Sequence, residues 1–118
     1  MRPTLDNLKL NHIGILSPDP QALAAWYSDH FGLMQTGSFA YGDGWLLACG
    51  KGNPSGDPRT HFGFTLPSKA RVKSWGDYFS ARDIAFEVQR DGRAIFVKDP
   101  AGNHFEMYYD PTVFVPPE

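Results

Sequence analysis

Residues 11–32, NHIGILSPDPQALAAWYSDHFG, are followed 49 residues later by a second version of the same plan, THFGFTLPSKARVKSWGDYF at 60–79. His12-x-Gly14 returns as His61-x-Gly63, and Trp26 returns as Trp75, at that single offset. One His-x-Gly match is easily produced by chance. A matched motif, tryptophan and order of elements at one spacing points to a duplicated supersecondary unit. In the first copy, residues 8–17 are apolar and rich in Ile and Leu, which suits a strand. Asp19 then stands at a helix N-cap with Pro20 at the first helical position. Leu23, Trp26, Tyr27 and Phe31 fall on one helical stripe, and Gly32 sits where a terminating glycine belongs. His30 lies near the helix C-terminus, where the dipole favours a cation, and reads as structural. In the second copy, 60–66 reads as a strand, Ser68 as a cap, and Val72, Trp75 and Phe79 as the buried face of a second helix.

Further strands follow each helix. In the first half these are 33–41 and 45–50, turned by Gly42-Asp43-Gly44. In the second half they are 84–89, 93–98 and 103–109, turned by Asp91-Gly92 and by Asp99-Pro100-Ala101-Gly102. Residues 51–59, KGNPSGDPR, carry no periodicity and read as a linker between modules 8–50 and 60–110. The Pro-rich ending PTVFVPPE is expected to lie over the surface. The predicted fold class is α+β. Two strand-helix-strand modules, within one domain of 118 residues, pack their sheets into a curved, partly open barrel.

Composition narrows the function. With 42% hydrophobic residues the chain has the material for a core. A formal net charge of -2 without a basic block argues against a nucleic-acid surface. No apolar run approaches the ~18–20 residues that span a bilayer, and MRPTLDNLKL has no apolar core like a signal peptide's. Cys49 is the only cysteine, so no internal disulfide forms, and a reducing, cytoplasmic setting is expected.

Strand side chains alternate between faces. His12 therefore shares a face with Gly14, and His61 with Gly63. On the last strand His104, Glu106 and Tyr108 share one face, while Phe105, Met107 and Tyr109 take the other. A carboxylate on an inward face is costly unless paired, and no Lys or Arg lies on that strand. A strand histidine taken alone is more often a packed core residue than a ligand. Two histidines at repeat-related positions and one inward carboxylate form a stronger pattern, that of the two-His-one-carboxylate facial set with open positions on one divalent ion. The glycine beside each histidine leaves room for another group to approach.

At these residues the chain resembles the vicinal oxygen chelate superfamily, which includes glyoxalase I, fosfomycin-resistance transferases, extradiol ring-cleaving dioxygenases, methylmalonyl-CoA epimerase and bleomycin-resistance proteins. The resemblance runs through LNHIGILSPDPQALAAWYSDHFGL, THFGF and, most specifically, KDPAGNHFEMYY, and covers nearly the whole chain. It implies a fold of two βαβββ modules. It implies metal ligands at His12, His61 and Glu106, with Ala48 at the place of a fourth. It implies a homodimer in which His12 of one subunit faces His61 and Glu106 of the other. The metal implied is one divalent ion, Fe2+ first, with Mn2+, Ni2+ or Zn2+ as alternatives. The partner is a small molecule held through two adjacent oxygens, with neither nucleic acid nor membrane involved.

The chain departs from each branch of the superfamily. Ala48 removes a ligand relative to glyoxalase I. Gly14 replaces a Thr, and Phe96 a Tyr, of the fosfomycin transferases. Phe96 also departs from the extradiol pattern, although the three-ligand site and NHFEMYY resemble that branch best. Retention of all three ligands argues against pure sequestration. The leading expectation is an extradiol-type dioxygenase. The alternatives are a glyoxalase-like lyase or isomerase, a thiol transferase, or a non-catalytic drug- or metabolite-binding resistance protein. His104 is the candidate proton carrier and Tyr108 a second, while Leu46, Ala48 and Phe96 are expected to line an apolar pocket.

Overall fold

A computed structural model describes residues 1–4, 6 and 8–111. The chain divides into two compact units that meet in sequence between Asn53 and Pro54. The first unit contains β1 (His12–Ser17), α1 (Pro20–Phe31), β2 (Met34–Thr36), β3 (Phe39–Tyr41) and β4 (Leu46–Lys51). The second contains β5 (His61–Thr65), α2 (Lys69–Ser80), β6 (Phe86–Gln89), β7 (Ala94–Lys98) and β8 (His104–Tyr108), with a 3-10 turn at Arg90–Gly92 between β6 and β7. Each unit is thus a βαβββ module.

The two sheets have the same topology, β1-β4-β3-β2 and β5-β8-β7-β6. The strand before each helix pairs in parallel with the last strand of its module, and the remaining pairings are antiparallel. Neither sheet closes into a barrel by itself, since β1 and β2 are edges of one and β5 and β6 edges of the other.

Both helices begin and end as their sequences dictate. The Asp19 carboxylate accepts from the Ala22 amide at 3.2 Å, and Gly32 terminates α1 in the left-handed region at φ 66°. The Ser68 hydroxyl caps α2 through the Arg71 amide at 3.2 Å. Leu23 and Tyr27 of α1 are buried with Ile15, Ala40, Leu47 and Cys49. Val72 and Phe79 of α2 are buried in the second unit with Ile95, Val97, Phe105 and Met107. Gly76 lets α2 approach the sheet closely, because a Cβ there would lie 3.1 Å from the Phe86 ring.

One strand boundary differs in kind. Residues 33–41, read as one strand, form the hairpin β2–β3 with Thr36 opposite Phe39. Gly37, at φ 58°, supplies the left-handed residue that so short a turn requires. The three strands following α1 therefore match the three following α2. The expected course of the tail falls, beyond Pro111, outside the described residues. Among the described residues no helix is long and apolar enough to cross a membrane.

Candidate metal centre

The parallel register of β5 on β8 sets His61 opposite His104, Gly63 opposite Glu106 and Thr65 opposite Tyr108. Glu106 is buried, with a relative exposure of 9%. Its Oε1 lies 3.4 Å from His61 Nε2, and its Oε2 lies 3.2 Å from Arg90 Nη1. Gly63 makes this placement possible, since a Cβ there would come within 3.0 Å of Glu106 Cγ and 3.2 Å of Tyr108 Cε1.

The other nitrogen of His61 fixes the chemistry of the pair. Nδ1 lies 3.0 Å from the Pro58 carbonyl oxygen, which can only accept, so Nδ1 carries the hydrogen. In the neutral ring Nε2 then presents a lone pair toward the lone pairs of Oε1. Two acceptors in that position repel unless a proton or a cation lies between them. Two ligand atoms about 2.1 Å from one ion sit roughly 3.0–3.4 Å apart when they are neighbours around it, and the observed 3.4 Å falls in that range. A carbonyl holding the non-ligating nitrogen is also how metal-binding histidines are oriented. His61 and Glu106 therefore fit as two neighbouring ligands of a divalent ion.

The first module repeats the register without the carboxylate. His12 lies opposite Leu46, and Gly14 opposite Ala48. Leu46 thus takes the place of His104, and Ala48 that of Glu106. His12 Nδ1 donates to Asn11 Oδ1 at 3.0 Å, which leaves Nε2 as its second, acceptor nitrogen. A Cβ at Gly14 would meet nothing within 4 Å. Among the described residues of a single chain, no three His, Cys, Asp or Glu side chains gather in a metal-binding group. The chain alone brings together His61 and Glu106; His12 belongs to the other unit.

Phe96 is paired in register with Glu106, and its ring meets that of His61 edge-on at 5.7 Å. Together with His104, Glu87 and Gln89 these two residues line an open depression of about 580 Å³. Leu46 and Ala48 are half-buried on β4. His104, the expected proton carrier, donates from Nε2 to the Gly56 carbonyl at 3.1 Å. Tyr108 packs its ring edge on Gly63. The segment read as a featureless linker thus supplies two carbonyls, those of Gly56 and Pro58, that hold two histidine rings. The segment is itself tied by the Asp57–Arg59 pair at 2.8 Å. Hydrogen bonds from the Arg59 side chain and amide hold the Asp57 carboxyl below the usual carboxylate range, and the same pairing raises Arg59.

Sequence reading misses Arg90. Its guanidinium reaches Glu106 from the turn before β7, not from the carboxylate's own strand. Arg90 and Asp91 both adopt positive φ, 52° and 56°, a conformation that costs an L-residue on the order of 1–2 kcal/mol. The available signal was a long cation directly preceding an Asp-Gly turn beside the strand that pairs with the carboxylate's.

With the geometry in place, comparison with known proteins defines the class. The Glyoxalase/Bleomycin resistance protein/Dioxygenase superfamily model matches residues 9–107. The chain belongs to that superfamily. Among solved structures, a glyoxalase/dioxygenase from Nostoc punctiforme is similar at 21% identity and a TM-score of 0.72, covering 94% of this chain and 97% of the other. The fosfomycin resistance protein FosX from Listeria monocytogenes, complexed with Mn(II) and a sulfate ion, is similar at 18% identity and a TM-score of 0.72, covering 89% and 92%. Lactoylglutathione lyase from Agrobacterium tumefaciens is similar at 22% identity and a TM-score of 0.67, covering 86% and 93%. These likenesses concern the fold. Comparison with curated protein sequences gives no match.

Proposed function

We propose that this chain is a divalent-metal-dependent enzyme that holds a small substrate by two adjacent oxygens. Its ligands are His61 and Glu106 of one subunit and His12 of a partner subunit in a homodimer. The observation that carries this reading is the facing pair of His61 Nε2 and Glu106 Oε1 at 3.4 Å, with the imidazole hydrogen already committed to Pro58. A divalent ion there supplies Lewis acidity to neighbouring substrate oxygens. The protein's own residues do the rest. Pro58 and Arg90 fix the orientations of His61 and Glu106. Phe96 forms an apolar wall beside them that favours a flat, mostly apolar substrate body, and Leu46 and Ala48 present apolar groups on the sheet that carries His12. A cytoplasmic setting suits the single cysteine.

An extradiol-type ring cleavage is the leading reaction, with Fe2+ as the metal, because the facial two-His-one-carboxylate set belongs to oxygen-activating non-haem iron. A glyoxalase-like lyase or isomerase, or a thiol transferase, is the second reading. It is favoured by Phe96, which stands opposite Glu106 where the extradiol pattern has a tyrosine, and by the hydrogen bond that ties His104 to Gly56. Anaerobic reconstitution with iron(II), followed by oxygen uptake with a panel of catechols, tests the first reading. Uptake with ring-opened product supports it. No uptake, together with turnover of a hemithioacetal or an epoxide by the manganese- or nickel-loaded protein, replaces it with the second. Stoichiometric metal in the wild type that is lost in His61→Ala separates both from a binding protein without metal.

A further inference from the structure

Glu106 stands between two partners, and only one of them belongs to the ligand set. Arg90 approaches Oε2 at 3.2 Å, on the opposite oxygen from His61. The guanidinium thus lies one carboxylate's width from the facing His61–Glu106 atoms. It carries five N–H donors in a fork suited to carboxylates. Among the described residues, its one side-chain hydrogen bond is from Nη1 to Glu106. Its side chain is 47% exposed, against 12% for Glu106, so the remaining donors stay accessible from solvent. Its guanidinium carbon is 5.9 Å from the Phe96 ring centroid, within cation–π range. The Arg90 backbone lies in the left-handed region at φ 52°, an uncommon conformation for a non-glycine residue. The depression lined by His61 and Phe96 also carries Lys98 and Arg59, the latter already paired with Asp57, beside the carboxylate of Glu87.

We propose that Arg90 is a specificity-determining residue that reads a carboxylate on the substrate, so that the preferred substrate is an anionic aromatic with two adjacent oxygens. The placement of those oxygens rests on the metal-dependent reading above; the anion site does not. A neutral diol leaves the spare donors of Arg90 to water. A carboxylated one exchanges that water for a forked, charge-assisted pair beside the Phe96 ring.

Two measurements test this. In metal-free protein, benzoate and its neutral counterpart benzamide are titrated while the amide resonances of His61, Phe96 and Arg93 are followed by NMR. Benzoate is expected to shift them saturably, at least fivefold more tightly than benzamide. Glu106→Gln, which removes the competing carboxylate, strengthens benzoate binding, and Arg90→Gln abolishes the preference for it. In cobalt-loaded protein, calorimetry without oxygen compares catechol with 3,4-dihydroxybenzoate. A preference of about tenfold or more for the acid is expected in the wild type. It falls below twofold in Arg90→Gln and partly returns in Arg90→Lys. Using the ratio within each variant cancels any general loss of folding or metal. A benzoate preference that survives Arg90→Gln, or equal affinity of the wild type for the two diols, overturns the assignment. If neither diol binds, the diol-holding metal reading fails and the benzoate titration alone decides the role of Arg90.

Discussion

Gly63 and Gly14 occupy equivalent positions in the duplicated module, yet their surroundings differ because the residue opposite one is Glu106 and opposite the other Ala48. A methyl group at Gly63 would press on Glu106 Cγ and the Tyr108 ring, whereas one at Gly14 meets nothing within 4 Å. Gly63→Ala is therefore expected to weaken cobalt(II) binding by about tenfold or more, the usual scale for disturbing the support of a ligand. Gly14→Ala should cost distinctly less, and equilibrium dialysis of the two variants side by side checks this. Asp99 gives a second prediction at this scale. Its Oδ1 accepts from the Ala101, Gly102 and Asn103 amides at 2.9–3.0 Å, and the residue is 3% exposed. Asp99→Ala strands the Ala101 and Asn103 donors, while the Gly102 amide keeps the carbonyl of residue 99, and should lower the unfolding free energy by ~1–3 kcal/mol, measurable by urea denaturation. The Asp-Pro-x-Gly-Asn motif is thus a turn device that delivers β8, and Glu106 with it, in register.

At the scale of elements, the segment from Pro54 to Thr60 orients the histidine rings of the second module. The Asp57–Arg59 pair braces it, and its carbonyls hold His61 and His104. Because the folded-state pKa of Asp57 is depressed, the pair's ordering effect is present above the free carboxylate value of about 4. It is lost as pH falls through the lower folded value. The Arg59 Nε–H resonance should accordingly stay dispersed at pH 5 and collapse toward the free-arginine position below about pH 4. Asp57→Asn should show the collapsed position at neutral pH. Helices, caps and strand alternation were legible in the residues because each depends on local chemistry: Asp19 before Pro20, Gly32 after Phe31, Phe105 and Met107 opposed to Glu106. The hairpin within 33–41 was not, since only the single Gly37 marks it. Nor were the roles of Gly56 and Pro58, because carbonyl groups belong to every residue alike. Arg90 escaped because its contact spans 16 residues and depends on a left-handed turn that its side chain does not advertise.

For the whole molecule, the proposal turns on which subunit provides His12. If each centre draws His12 from one chain and His61 with Glu106 from its partner, two individually defective variants should repair one another. A His12→Ala chain mixed with a Glu106→Gln chain, unfolded and refolded together at equal amounts, would yield half heterodimers, each with one intact centre of two. Metal content should then recover to about one quarter of the wild-type level, while each variant alone stays near zero. Recovery to no measurable level places all ligands within one chain. The duplication also has a consequence for how tightly metal and substrate are gripped. In the proposed centre, Ala48, the register counterpart of Glu106, would leave open the position of a fourth ligand, for a substrate oxygen to take. Ala48→Glu should close it, trading a firmer hold on the ion for a poorer one on any chelating diol; competition between catechol and the introduced carboxylate at that vertex would show the duplicated fold choosing between storing a metal and using it.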